Sequence, residues 1–258
     1  MDDPVFRTLL LFDIEQYGRR DNVEQAFLRR LLYEVANATL LSGAVDETSR
    51  LRADRGDSVM ELIDAQASVP RLVKTLLTET PALLHSKNRL MAESARMRLR
   101  IVLASGYVAV DEHEGWVGSD LNHAVRLLDS DPLREALRNR TDDCVLCVSD
   151  SIYQGVVSHG PLGVRPETFH RITVDTKEGP TVAWLHGEPG PTPPSEPATG
   201  SVPAAGSVPT SGSVPTPGTA APQHSETHVD GDQYGQTGGA HHGDTTFHFT
   251  RSRRDEQR

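Results

Sequence analysis

Apolar and polar positions along this chain fall into short blocks whose period switches repeatedly between that of a strand and that of a helix, as far as about residue 187. Residues 8–12 form a contiguous apolar run closed by Asp13, which predicts a buried strand. Val23, Ala26, Phe27, Leu31, Leu32, Val35 and Ala36 then recur at helical spacing and predict an amphipathic helix. Residues 49–54 and 58–63 flank Gly56-Asp57 with strand-like patterning, the profile of a hairpin tip. Helical stretches follow over 68–78 and 81–95, then a long strand over 97–110 that turns at 111–115 into a helix carrying Asn122. Beyond it the pattern predicts helix over 132–138, strand over 144–148, helix over 150–157, and strands near 169–174 and 181–185. Strands and helices alternate, yet hairpins dominate the pairing. The expectation is an α+β sandwich with helices covering one face of a mainly antiparallel sheet, not a doubly wound parallel sheet.

The periodicity stops at residue 188, where the composition turns to Pro, Gly, Ser, Thr and Ala. Gly-Ser-Val-Pro repeats from Gly200, Gly206 and Gly212, and the segment has too little apolar content to bury a core. Residues 188–223 are therefore expected to be a flexible, disordered linker. Residues 224–258 differ again: Gly, Asp and Gln alternate with Tyr234, Phe247 and Phe249, a pattern seen in strand-forming, self-associating peptides. Their expected role is self-assembly or capture of a signalling partner; the alternative is a disordered tail.

Charge and cysteine usage narrow the function classes. A net charge of −10 over 258 residues disfavours sequence-independent nucleic-acid binding, which needs a basic surface to release counterions. No apolar run approaches a membrane span, and no basic region precedes the short apolar run near residue 8, so the expectation is a cytoplasmic chain with no membrane partner. Cys144 and Cys147 have the spacing of half a zinc or redox motif, but on a strand they face opposite sides, which favours a core strand.

The candidate chemistry lies in two aspartates and one Asn/Arg pair. Asp13 ends a strand and Asp57 sits at a hairpin tip; two aspartates on neighbouring strand ends can share hard divalent cations, which keep water and substrate phosphate as their other ligands. Asn122 and Arg126 are four apart on a predicted helix and so share one face, suited to ribose and phosphate. Tyr17, Gly18 and Arg19, followed by Arg20, precede the first helix, where main-chain amides suit a polyphosphate. Taken singly, the aspartates read as a cap and a turn and the pair as an exposed helix face, but those readings leave the ordered set unexplained.

In that order, with RLRIVLASGYV leading into G-x-x-x-N-x-x-x-R, the motifs resemble the class III nucleotide cyclases, the adenylate and guanylate cyclase family, over residues 5–187. The resemblance implies a ferredoxin-like catalytic domain over residues 1–187 that converts a nucleoside triphosphate to a 3′,5′-cyclic monophosphate and pyrophosphate. It further implies two Mg²⁺ or Mn²⁺ ions held by Asp13, Ile14 and Asp57, transition-state roles for Asn122 and Arg126, phosphate contacts from Tyr17, Gly18, Arg19 and Lys177, and a homodimer with composite sites. Two positions depart from the family pattern. The Lys and Asp that read a purine are replaced by Ala53 and Gly115, so the base is open, and the alternative reading is a catalytically degenerate cyclase-fold nucleotide sensor or dimerisation module with an adaptor tail. The last segment resembles Gly-Asp-rich C-terminal signalling motifs of bacterial conflict systems.

Overall fold

Strand β1 (Val5–Ile14) organises the molecule, because Leu9, Leu10, Leu11 and Phe12 are all buried and their side chains alternate between two separate cores. A strand that is apolar on both faces needs cover on both. The computed structural model describes residues 3–112, 115–176 and 179–187. Lys177, the linker expected over 188–223 and the tail over 224–258 lie outside the described residues.

From β1 the chain enters helix α1 (Asn22–Ser42), then the hairpin β2 (Arg50–Asp54) and β3 (Ser58–Asp64), helices α2 (Val69–Leu77) and α3 (Glu79–Asn88), and the long strand β4 (Leu99–Val110). The sheet order of these four strands, β2-β3-β1-β4, with helices in the two crossovers, is ferredoxin-like. A short β5 (Trp116–Val117) turns back on β4 and leads into α4 (Ser119–Leu128) and α5 (Asp131–Arg138). Strand β6 (Cys144–Ser149), helix α6 (Asp150–Gly155), β7 (Phe169–Thr176) and β8 (Gly179–His186) extend the sheet as β4-β6-β8-β7. Every pairing is antiparallel except β4 with β6.

Three expectations are corrected. Helices cover both sheet faces: α1, α2, α3 and α6 bury their apolar sides against Leu10, Phe12 and Ile101, while α4 and α5 bury theirs against Leu9, Leu11 and Val102. The buried stripe of α1 begins at Leu28, leaving Val23 78% and Phe27 37% exposed, because the first turns of the helix extend past the sheet contact. The second helical stretch, expected to run to residue 95, stops at Asn88. There the buried Asn88 side chain donates to the Met97 carbonyl at 2.7 Å and accepts from the Met97 amide at 3.0 Å, stitching the helix end to the approach of β4. A 3-10 turn (Glu93–Ala95) carries the chain between them.

The cysteines fall on opposite sides of β6, Cys144 against the first core and Cys147 inside the second. Burial pushes both thiols up to about 12, so neither supplies thiolate at neutral pH.

Candidate active site

The site begins where β1 ends. Asp13 stands opposite Ser58 in the β1–β3 register, and the Ile14 amide donates to the Asp57 carbonyl at 3.1 Å, so the end of the strand and the tip of the β2–β3 hairpin are one unit. Gly56, at φ +85, makes the tight turn that a side chain would resist. Asp54 holds that turn: one carboxylate oxygen accepts from the Gly56 amide at 2.8 Å, and the other accepts from the Tyr33 hydroxyl at 2.6 Å and from Arg29, both on α1.

Electrostatics single out the two aspartates. Burial raises the Asp13 carboxyl to about 6; Arg100 pulls it down, and the negative charges of Asp57 and Asp129 push it further up. Burial also raises Asp57, with its own main chain and Arg55 acting the other way and Asp129 adding to the rise. Asp129, at the end of α4, is therefore a third carboxylate within charge range of both. Among the described residues no three His, Cys, Asp or Glu side chains converge as a metal cluster. Two poorly solvated carboxylates beside main-chain carbonyls form an oxygen donor set. That set suits a hard ion such as Mg²⁺ or Mn²⁺, which completes its shell with water and substrate oxygen, and not a zinc site built from nitrogen and sulfur.

The residues expected to hold phosphate lie in a turn that precedes α1. The N-terminus of α1 is already capped: Asp21 accepts from the amides of Val23 at 2.9 Å and Glu24 at 2.8 Å in a capping box. Tyr17, Gly18 and Arg19 form a separate 3-10 turn entered through Gln16 at φ 58, and a Cβ built on Gly18 would meet nothing within 4 Å. Tyr17 packs against the first core, and burial raises its hydroxyl, with Arg29 lowering it and Asp57 raising it, so the turn lies within charge range of the hairpin.

Asn122 and Arg126 are half-buried on α4, off the side that packs Leu121, Ala124, Leu127 and Leu128 into the second core. The helix sits close to β4: Asp120 accepts from the Tyr107 amide at 2.7 Å, and a Cβ at Gly106 would collide with the Asp120 side chain. The two departures from the family pattern have local roles. Ala53 is 1% exposed among Met60 and Leu62, and Gly115 closes the β4–β5 turn with Asp111 through bonds of 2.8 and 2.7 Å.

Sequence comparison finds no matching protein-family model and no matching curated protein. Structural comparison does find likeness. The chain is similar to an adenylate/guanylate cyclase/hydrolase from Silicibacter pomeroyi, at 15% identity over 72% of this chain and 99% of that one, with a TM-score of 0.52. It is also similar to the guanylyl cyclase Cya2, at 17% identity over 76% and 96% with a TM-score of 0.50. A bacterial light-regulated adenylyl cyclase matches at 14% identity over 73% and 93%, with a TM-score of 0.51. The fold is that of a class III nucleotide cyclase catalytic domain. Within this cyclase fold, the structure brings Asp13, Ile14 and Asp57 together with the Tyr17–Arg19 turn nearby, and sets Asn122 and Arg126 on α4.

Sequence reasoning missed Arg100, whose Nε donates to Asp13 Oδ2 at 2.9 Å and whose Nη2 donates to the same oxygen. It also missed Asp54 and Asp129. Arg100 is 87 positions from Asp13, and only the register of β1 with β4 relates them.

Proposed function

We propose that this protein is a nucleotidyl cyclase that converts a nucleoside triphosphate to a 3′,5′-cyclic monophosphate and pyrophosphate. The observation that carries the reading is the juxtaposition of Asp13 and Asp57 at one strand end and one hairpin tip, both carboxyls raised by burial in spite of the arginines near them. Asp13, Asp57 and the Ile14 carbonyl would hold two divalent cations, which supply charge neutralisation for the triphosphate and ease ionisation of the ribose 3′-hydroxyl. The 3′-oxygen attacks the α-phosphorus, and pyrophosphate leaves. Asn122 orients the ribose, and Arg126 stabilises the charge growing on the phosphoryl oxygens. The Tyr17–Arg19 turn, with Lys177, contacts the polyphosphate. Asn122 and Arg126 serve the aspartates of a second copy, so the working form is a homodimer with two composite sites. Residues 224–258 act as a separate self-assembly or signalling module on the linker.

A second reading has its own observation: both positions that would read a purine are committed to structure, Ala53 to the core and Gly115 to a turn. On that reading the domain binds nucleotide without turnover. Incubating the purified protein with ATP, GTP, CTP and UTP in turn, with Mg²⁺ or Mn²⁺, separates the two. A cyclic product from at least one triphosphate is expected, and none from Asp57→Ala, with the variant still folded by circular dichroism. Nucleotide binding without any cyclic product would replace the cyclase reading with the sensor.

A further inference from the structure

Arg100 and Arg98 both reach from the start of β4 or just before it to an acidic residue at the end of β1, but they are held differently. Arg98 donates to Glu15 at 3.0 Å and also to the main-chain carbonyls of Leu137, Arg140 and Asp142, so it is pinned to the last turn of α5 and the loop after it. The hydrogen bonds of Arg100 go to Asp13, and both go to one oxygen, Oδ2. The pair is nearly out of water, with side chains 12% and 10% exposed. A carboxylate oxygen has two lone pairs, and two N–H donors use both. A cation approaching Asp13 therefore finds only Oδ1 available, or must displace the guanidinium. In either case it comes to rest a few ångströms from a like charge in a site with little water to screen it.

We propose that Arg100 is a resident counter-ion that competes with divalent cations for Asp13 and so keeps the cation affinity of the nucleotide-free site low. This rests on the reading of Asp13 and Asp57 as cation ligands. Arg100 neutralises Asp13 when no cation is bound, which lets the buried carboxylate remain in place without metal, and its grip on a single side chain leaves it free to yield. Arg98, locked to three carbonyls, has no such freedom.

Mn²⁺ binding to the nucleotide-free full chain, followed by the electron paramagnetic resonance of free Mn²⁺, tests this. The Asp13→Asn/Asp57→Asn double variant gives the background, which includes the histidines of residues 224–258. Arg100→Gln should bind Mn²⁺ about tenfold more tightly than wild type, since a buried like charge has been removed from beside the ligand. Arg100→Lys, which keeps the charge and loses the two-pronged grip, should fall between them. If Arg100→Gln fails to fold, the lysine variant decides. An affinity equal to or weaker than wild type in the folded variant overturns the proposal, because a merely structural arginine would leave the site unchanged or damage it. Wild type and variants all binding no more Mn²⁺ than the double variant would overturn the cation-ligand reading itself, a separate outcome.

Discussion

Asp13 is the residue on which the site's charge balance turns. Its folded-state carboxyl lies at about 6 against 3.8 in the unfolded chain, raised first by burial, so the folded protein holds a proton that the unfolded chain has released. The stability this confers is fully present below 3.8 and is lost as the pH rises through about 6. Asp57 and Glu61 shift in the same direction, also through burial first. In metal-free buffer, the stability of Asp13→Asn relative to wild type should therefore move in favour of the variant by on the order of 3 kcal/mol between about pH 4 and pH 8. Urea unfolding across that range measures it, and a flat difference would remove the buried-carboxylate account. Asp13 and Asp57 were legible as a pair because each ends or interrupts an apolar pattern. Arg100 and Asp129 were not, because neither has a local signal: one is related to Asp13 by cross-strand register and the other by where α4 happens to end.

At the scale of elements, α4 is the part whose placement decides whether Asn122 and Arg126 can serve a site. Its seat depends on Gly106, where β4 and Asp120 approach so closely that no side chain fits between them. Gly106→Ala should force Asp120 off the Tyr107 amide and cost on the order of 2 to 3 kcal/mol, read as a lower urea midpoint, with α4 amides losing hydrogen-exchange protection. Unchanged exchange in α4 would show that the helix is held by its apolar face alone. The helix itself was predicted from its pattern. The second layer it forms was not, although the contiguous Leu9, Leu10, Leu11 and Phe12 carried that message, since a strand with one solvated face alternates instead. The end of α3 was missed for a different reason. Helical spacing continues past Asn88, but the two bonds from its side chain to Met97 fix the chain's departure, and such a bond has no sequence pattern.

At the scale of the molecule, the proposed site is divided between two chains, and that division can be tested without knowing the base. Mixing equal amounts of Asp13→Ala and Arg126→Ala chains should restore about a quarter of the wild-type rate, because random pairing makes half the dimers mixed and each mixed dimer rebuilds one of two sites. Subunit exchange is checked independently by native mass spectrometry, and exchange without activity would place both residue sets in one chain's site. Both chains of such a dimer inherit a demanding strand order. β1 lies between β3 and β4, yet β4 begins only at Leu99, so the most apolar strand in the sheet has one neighbour waiting until the chain has passed through α1, the hairpin and two more helices. Contacts so distant in sequence form slowly, and loop closure must come before they repay it. The strand that carries Asp13 is paired on both edges only once β4 has joined it. Arg100 stands directly opposite Asp13 in the β1–β4 ladder, so their salt bridge requires the sheet to be assembled in that register.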